Sequence, residues 1–200
     1  MIPPGPRVVL ASTSSIRRIL LERLCIPFDV ISPDYEETDL GFTPDLEARA
    51  RATGKAESVI PVANGGIVIG SDQLLVINDR KVPKPLTEDS TVELLLSMRG
   101  IRHQLHTAIS VFDARSNQWV KDTTVSSLVV RNDITKEGII RYVSIDQSMG
   151  CAGGYKLESL GICLFSEIDT PDYTAILGLP LISLCSALRS LGVEIPPYHG

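Results

Sequence analysis

Residues 8–21 read VVLASTSSIRRILL, a stretch that passes from an apolar segment through a hydroxyl-rich turn into a helical pattern. The apolar run at 8–10 is typical of a strand that is covered on both faces. The serines and the threonine that follow are residue types that accept the first free amide hydrogens of a helix. Beyond them, Ile19, Leu20 and Leu24 recur at three- and four-residue spacing, which predicts a short amphipathic helix. The stretch therefore predicts the strand, turn and helix of an α/β protein.

Arg17 and Arg18 stand in the first turn of this predicted helix, where positive charges face the positive end of the helix dipole. An anion bound at the helix N-terminus would remove this conflict, and both guanidinium groups offer forked donors to phosphate oxygens. The alternative is that such turns occur throughout α/β proteins and that both arginines are solvated. The turn is a candidate phosphate site, with both interpretations open at this point.

Composition excludes several classes of protein. The 200 residues suit a single domain spanning 1–200, or two small lobes around a cleft, and the chain is long enough to bury a core. A net charge of −5 and a pI near 5.2 argue against a nucleic-acid-binding protein, which usually presents a basic surface. We expect no nucleic-acid partner.

The predicted location is the cytoplasm. Residues 1–6 do not start a signal peptide, and no apolar run approaches the roughly 18 residues that a membrane span requires. Cys25, Cys151, Cys163 and Cys185 lack C-x-x-C spacing, which argues against a disulfide framework or a zinc site. They are expected to be small buried residues.

The remaining chain alternates strands and helices. Strands are predicted at 27–31, 67–73, 104–112, 119–131 and 161–165, and helices at 43–64, 87–98, from 135 onward and at 181–191. A hairpin is predicted at 74–82, around Asn78-Asp79. In the helix from 43, the inner face is assigned to Leu46, Ala50, Ala56 and Val59. The pattern predicts a mixed α/β fold.

Phosphate chemistry on a nucleotide needs cations for the phosphates, carboxylates for a divalent metal and a base that orients water. The cations available at element ends are Arg17, Lys55 and Lys84, and the carboxylates are Glu37 and Asp72. Asp72 follows a buried strand, so it is the first choice for the base. Each of these residues taken alone is also an ordinary surface charge, and their convergence is a hypothesis.

Two motifs that look like ligand sites receive other interpretations. His103 and His106 have metal-pair spacing, but residues three apart in a strand point to opposite faces, so both are assigned structural roles. Gly153 and Gly154 lack the ending of a phosphate-binding P-loop. Their predicted role is to let the backbone approach a base.

Four ordered blocks resemble the Maf family of nucleotide pyrophosphatases along almost the whole chain. They are the opening signature at 10–18, the acidic segment at 36–38, GSDQ at 70–73 with Lys84-Pro85, and the C-terminal blocks at 152–155 and 178–181. The resemblance implies a mixed, elongated sheet flanked by helices, with two lobes around a cleft, like inosine triphosphatases. It also implies hydrolysis of a nucleoside triphosphate to monophosphate and pyrophosphate, with a divalent metal (Mg or Mn), and a homodimer.

The matching positions imply roles for individual residues. Asp72 corresponds to the proton acceptor, and Glu37 and Asp72 would hold the metal. The phosphates would be bound by Ser12, Arg17, Lys55 and Lys84. Specificity positions correspond to Ile16, Gln73 and Glu158.

Residues 71–73 and 151–158 are most similar to the branch of the family that acts on 7-methyl-GTP. A carboxylate at Glu158 would accept hydrogen bonds from N1–H and the exocyclic amine of guanine, and it would favour the cation that N7 methylation creates. The chain departs from the pattern at Ser15, where the family usually has proline, and at Ile16, where this branch tends to have an aromatic residue. Hydrolysis of dTTP, UTP or CTP, or a non-catalytic role in nucleotide binding or cell division, remain the alternatives.

Overall fold

A computed structural model describes residues 6–196 and contains a single mixed sheet within that range. The expectation about a signal peptide concerns residues 1–6, most of which lie outside the described part. The strands are β1 (Val8–Ala11), β2 (Asp29–Ile31), β3 (Ile67–Ile77), β4 (Arg80–Val82), β5 (Arg102–Asp113), β6 (Gln118–Val130) and β7 (Phe165–Asp169). The helices are α1 (Ser15–Glu22), α2 (Pro44–Val59), α3 (Glu88–Ser97), α4 (Lys136–Asp146), α5 (Tyr173–Ile176) and α6 (Leu181–Ser190).

The sheet has the order β2-β1-β3-β5-β6-β7, and β4 pairs with the far end of β3. β1 runs parallel to both β2 and β3, whereas β3, β5, β6 and β7 pair antiparallel to one another. The predicted mixed α/β fold is therefore confirmed. The long strands β5 and β6 pair antiparallel along almost their whole length.

Helices cover both faces of the sheet, which explains why its central strands are apolar on both sides. Leu10 and Ile69 face a core formed with α1, α3, α4 and α6, whereas Val9 and Val68 face α2. The apolar run at 8–10 is thus a buried strand, as predicted. Within residues 6–196, no helix is long and apolar enough to cross a membrane.

Some sequence expectations are wrong at the level of individual side chains. Leu46 and Ile19 are about half exposed, because α2 meets the sheet through Ala48, Ala52 and Ala56, and α1 through Leu20 and its neighbour. Ala56 and Val59 are buried as predicted.

Two further corrections concern the C-terminal third and the cysteines. The strand predicted at 161–165 is wrong except at Phe165, since Leu160–Leu164 form a short helical turn. Pairing with β6 starts only at Phe165, and α5 was not predicted. Cys25 and Cys163 are exposed rather than buried, and all four cysteines are free thiols.

Candidate active site

The centre of the candidate site is a cation shared by two carboxylates. Nζ of Lys55 donates to Oδ1 of Asp72 and to Oε1 of Glu37, each at 2.5 Å. The side chains of Asp72 and Lys55 are only 1% and 9% exposed, whereas that of Glu37 is 31% exposed. Oδ2 of Asp72 is buried and has no hydrogen-bond partner among the described residues. An ammonium group has three donors, so Lys55 keeps one for a ligand.

A glycine allows this cluster to form. At Gly70, an added Cβ would lie 2.0 Å from the backbone oxygen of Ala52 on α2, so only glycine lets the helix pack this closely on β3. One turn further along α2 stands Lys55, and two residues further along β3 stands Asp72. The close approach thereby brings their side chains into contact.

A second glycine allows the acidic segment that carries Glu37 to pack closely on α2. An added Cβ at Gly54 would lie 2.1 Å from the ring of Tyr35, so this ring packs directly on the α2 backbone. Glycine in a helix interior costs stability relative to alanine, and here the cost permits this contact. The contact fixes the segment two residues before Glu37.

Lys84 completes the group of charges from the other side. Its Nζ donates to Oε2 of Glu37 at 3.0 Å. Partial burial opposes ionisation of Glu37, but the hydrogen bonds and charges of Lys55 and Lys84 outweigh it and lower the pKa of Glu37 to about 2. Glu37 is therefore a carboxylate at neutral pH.

The two arginines of the opening stretch have different environments. Nε of Arg17 donates to the Gly178 carbonyl at 2.7 Å, and the Ser71 hydroxyl lies 2.9 Å from the same oxygen. Burial lowers the pKa of Arg17, and the charges of Asp72 and Glu37 oppose this effect. Arg18 is exposed and pairs with Glu22 along α1. Only Arg17 faces the candidate site.

These groups surround a cavity of about 260 Å³, which we call the arginine cavity. Its walls include the charged side chains of Arg17, Lys55, Lys84, Glu37 and Glu158. Ile16 and Gln73 line it as well, so the three predicted specificity positions open onto one space. Asp72 lies behind Lys55 rather than in the wall.

Gln73 and Ser12 are held by the protein itself. Nε2 of Gln73 contacts Oγ1 of Thr107 and the Ala175 and Ile176 carbonyls at 2.9 to 3.1 Å, which leaves its Oε1 for a ligand. Ser12 is 4% exposed, and its Oγ accepts the Ser14 amide. Ser12 is absent from the cavity wall, where its neighbours Thr13 and Ser14 stand instead.

Sequence reasoning did not single out several other residues of the wall. They include Thr13, Ser14, Tyr155, Ile176 and Leu177. The hydroxyl residues belong to the turn already noted, and Tyr155 belongs to the block at 152–155, but Ile176 and Leu177 carried no signal. Tyr155 is almost fully buried, packs edge-on against Phe165 and contacts Nε2 of His103 through its hydroxyl.

The histidine and glycine motifs both lie outside the wall of the arginine cavity. His103 contacts Tyr155, and His106 contacts Asp45, so the two imidazoles do not share a ligand. Gly153 and Gly154 are buried and do not belong to the wall of the arginine cavity, although Ala152 of the same loop does. The approach of these glycines to a base stays a prediction.

The donor set fits a hydrated divalent cation held jointly with substrate. Within residues 6–196, no group of three or more His, Cys, Asp or Glu side chains could hold a metal ion. Mg²⁺, however, is usually bound by one or two carboxylates together with substrate phosphates and water. Glu37 and Asp72 supply two carboxylates, both bonded to Lys55.

The fold and the cavity define an α/β protein with a cleft lined by cations and carboxylates. The chain belongs to the Maf family, since the model for the Maf-like protein family matches residues 7–191.

Relatives match nearly the full length. A protein of Burkholderia orbicola (strain AU 1054) named 7-methyl-GTP pyrophosphatase is 40% identical over 189 residues, which cover 92% of this chain and 90% of the relative. A protein of the same name from Aromatoleum aromaticum is 39% identical over 191 residues, covering 95% and 98%. Among solved structures, the Staphylococcus aureus Ham1 protein is 18% identical with a TM-score of 0.45, covering 63% of this chain and 72% of that one.

Proposed function

We propose that this protein is a nucleoside triphosphate pyrophosphatase that hydrolyses 7-methyl-GTP to 7-methyl-GMP and pyrophosphate. The observation that carries the proposal is the convergence of three cations, Glu37 and Glu158 on one cavity, with Asp72 bonded to Lys55 behind it. The names of the full-length relatives support the same activity. In this proposal the whole chain is one catalytic domain, it acts in the cytoplasm, and it forms a homodimer.

The cations would bind the triphosphate. Arg17 is anchored through Nε to Gly178, so its terminal nitrogens are free to form a forked contact with phosphate oxygens. Lys55 and Lys84 each donate to Glu37 and retain further N–H donors for phosphate. Ser12 would act indirectly, because its Oγ accepts the Ser14 amide and holds the turn whose residues Thr13 and Ser14 line the cavity.

Asp72 would accept the proton of the attacking water. Oδ1 of Asp72 is bonded to Lys55, so Oδ2 is the atom left to take the proton. Water attacks the α-phosphorus, and the bond to the bridging oxygen breaks as pyrophosphate leaves. Proton transfer of this kind contributes roughly 10²–10⁴-fold to a rate.

A divalent metal, Mg²⁺ or Mn²⁺, would be held by Glu37 and Asp72. When bound, it neutralises the charge that develops on the leaving pyrophosphate. Glu37 is suited to this role because it stays ionised at every pH well above 2.

The base would be recognised at the far end of the arginine cavity. Glu158 would accept hydrogen bonds from the Watson–Crick edge of guanine, and its charge favours the N7-methylated cation. Gln73 would present Oε1, since its amide nitrogen is already bonded to the protein. Ile16 supplies apolar contact only.

The test is pyrophosphate release from 7-methyl-GTP, GTP, dTTP, UTP and CTP, with Mg²⁺ or Mn²⁺. Selective release from 7-methyl-GTP is expected. Release from the pyrimidine nucleotides instead would contradict the proposed substrate but leave the proposed mechanism in place. Absence of release from all five nucleotides would contradict the proposed enzymatic activity and favour a nucleotide-binding or cell-division role.

A further inference from the structure

A second, larger space opens beside the arginine cavity. It measures about 500 Å³, and we call it the hairpin cleft because the β3–β4 hairpin forms its floor. The two spaces share the wall residues Glu37, Gln73, Lys84 and Ala152. Glu37 and Lys84, which are proposed to bind the metal and the phosphates, therefore stand at the junction, whereas Arg17 and Lys55 line the arginine cavity alone.

The charges that belong to the hairpin cleft alone cancel one another. Glu47 is fully buried and accepts hydrogen bonds from Nη2 of Arg51, at 2.5 Å, and from Nζ of Lys81. Lys81 also donates to Oδ1 of Asp39 at 2.5 Å. Two carboxylates thus occupy the two cations. The hairpin cleft is for that reason a poor site for further phosphate groups.

Its other walls suit a flat, largely uncharged group with polar edges. Val82, Pro83 and Leu86 form an apolar surface, and Leu86 is 80% exposed at the lip. The side chain of Asp39 is 71% exposed at the opposite side, where its carboxylate is open to hydroxyl donors. Apolar faces for a base and a carboxylate for sugar hydroxyls are the usual features of a nucleoside site.

We infer that the hairpin cleft binds a second nucleoside, so that the protein also cleaves dinucleoside triphosphates in which 7-methylguanosine is joined 5′ to 5′ to another nucleoside. This inference rests on the proposed function. The 7-methylguanosine occupies the arginine cavity, the three phosphates cross the junction at Lys84, and the other nucleoside lies on the hairpin. A volume of about 500 Å³ is within the range of small-molecule sites, roughly 300–1,000 Å³.

The reaction is the same hydrolysis with a larger leaving group. Water adds to the α-phosphorus on the 7-methylguanosine side, and its proton passes to Asp72. The bond between that phosphorus and the bridging oxygen breaks, and the oxygen leaves with the electron pair on a nucleoside diphosphate. The products are 7-methyl-GMP and, from a guanosine-containing substrate, GDP.

In the experiment, the full chain is incubated with Mg²⁺ and either 7-methyl-GTP or the dinucleotide m7GpppG. The products are separated by chromatography with mass detection. In ¹⁸O-labelled water, we expect 7-methyl-GMP that carries the label and unlabelled GDP. Formation of 7-methyl-GDP and GMP would overturn the inference, because the attack would then fall on the other nucleoside's phosphate.

Variants test whether the hairpin cleft is responsible. Leu86→Ala removes apolar contact at the lip, and we expect the ratio of kcat/KM for m7GpppG to kcat/KM for 7-methyl-GTP to fall about fivefold. Leu46→Ala is the matched control, because Leu46 is 55% exposed and lines neither space. An unchanged ratio in Leu86→Ala overturns the inference.

The two proposals fail in different ways. Release of pyrophosphate from 7-methyl-GTP with no cleavage of m7GpppG overturns the second-nucleoside site alone. Absence of pyrophosphate release from 7-methyl-GTP overturns the proposed function, and the inference falls with it.

Discussion

Nζ of Lys55 lies 2.5 Å from Oδ1 of Asp72, and both side chains are at least nine-tenths buried. The pair joins α2 to β3 and turns Oδ2 of the carboxylate into an unpartnered acceptor among the described residues. A buried ion pair contributes little net stability, because desolvation offsets the attraction. The role of the pair is to fix a position, since it holds the proposed base next to the cations that are proposed to bind the phosphates.

Asp72→Asn removes the proposed base and keeps the side-chain shape. We expect kcat for pyrophosphate release from 7-methyl-GTP to fall by roughly 10²–10⁴-fold. Calorimetry with a non-hydrolysable 7-methyl-GTP analogue should still show binding, because Arg17 and Lys84 remain. The exposed Asp89→Asn is the control, and full activity in Asp72→Asn would show that another group takes the proton.

Glu37→Gln should weaken metal binding more than it weakens nucleotide binding. The amide keeps one oxygen and loses the charge, so the Mn²⁺ concentration for half-maximal activity should rise about tenfold or more. Electron paramagnetic resonance of Mn²⁺, with the non-hydrolysable analogue present, measures the same loss without turnover. Glu36→Gln changes the adjacent carboxylate, which lines neither space. Equal Mn²⁺ affinity in the two variants would remove Glu37 from the metal site.

Ile16→Trp should sharpen discrimination between 7-methyl-GTP and GTP. An aromatic face attracts the cationic methylated base by roughly 0.5–2 kcal/mol, which corresponds to about a 2- to 30-fold higher ratio of kcat/KM values. Ile19→Trp places the same ring on the solvent side of α1, where Ile19 is 49% exposed, and should leave the ratio alone. A ratio that does not rise in Ile16→Trp would mean that the base does not lie against this position.

Glu158→Gln tests recognition of the purine. The neutral amide loses the charge-assisted hydrogen bonds to guanine, so kcat/KM for 7-methyl-GTP should fall about tenfold while the values for UTP and CTP change little. Steady-state kinetics on the three nucleotides, beside the exposed Glu93→Gln, provide the measurement. A uniform fall for all three would assign Glu158 to folding or phosphate binding instead.

His103 should make stability depend on pH. Burial lowers the pKa of His103 to about 4, below the value of about 6.5 expected in the unfolded chain. Between these values the unfolded chain binds more protons, so stability falls as the pH decreases through this window. From pH 7 to pH 5, the wild type should lose about 2 kcal/mol of unfolding free energy beyond the loss in His103→Gln. Urea denaturation at both pH values measures this difference, and parallel losses would contradict it.

Much of the fold was predictable from local pattern. Strand β1, helix α3 and the hairpin at Asn78-Asp79 agree with the sequence, because their signals come from neighbouring residues. The 161–165 run and α5 were mispredicted or missed, because short apolar segments have no period that separates a strand from a helical turn. Long-range pairing decides such segments.

The cations and the two carboxylates of the site were candidates because of their residue types and positions, whereas Ser12, Ile16, Gln73 and Glu158 followed only from the family resemblance. Which of them would meet did not follow. Arg17 and Arg18 are indistinguishable by composition, yet the Gly178 carbonyl, 161 residues away, anchors only the first. The hairpin cleft likewise depends on Glu47, Arg51 and Lys81, which the sequence did not mark.

The sequence by itself determined the apolar strands, the helix caps, the family blocks and the charged residues available for chemistry, because these depend on residue type and short spacing. The tertiary structure alone decided that Lys55 would join Glu37 to Asp72, that Ser12 would be buried while Thr13 and Ser14 face the cavity, and that two spaces would meet at Lys84. The physical reason is that a hydrogen bond or an ion pair extends only a few ångströms. Which distant side chains come that close is set by packing, such as that of α2 on Gly70, and the sequence records this packing only indirectly.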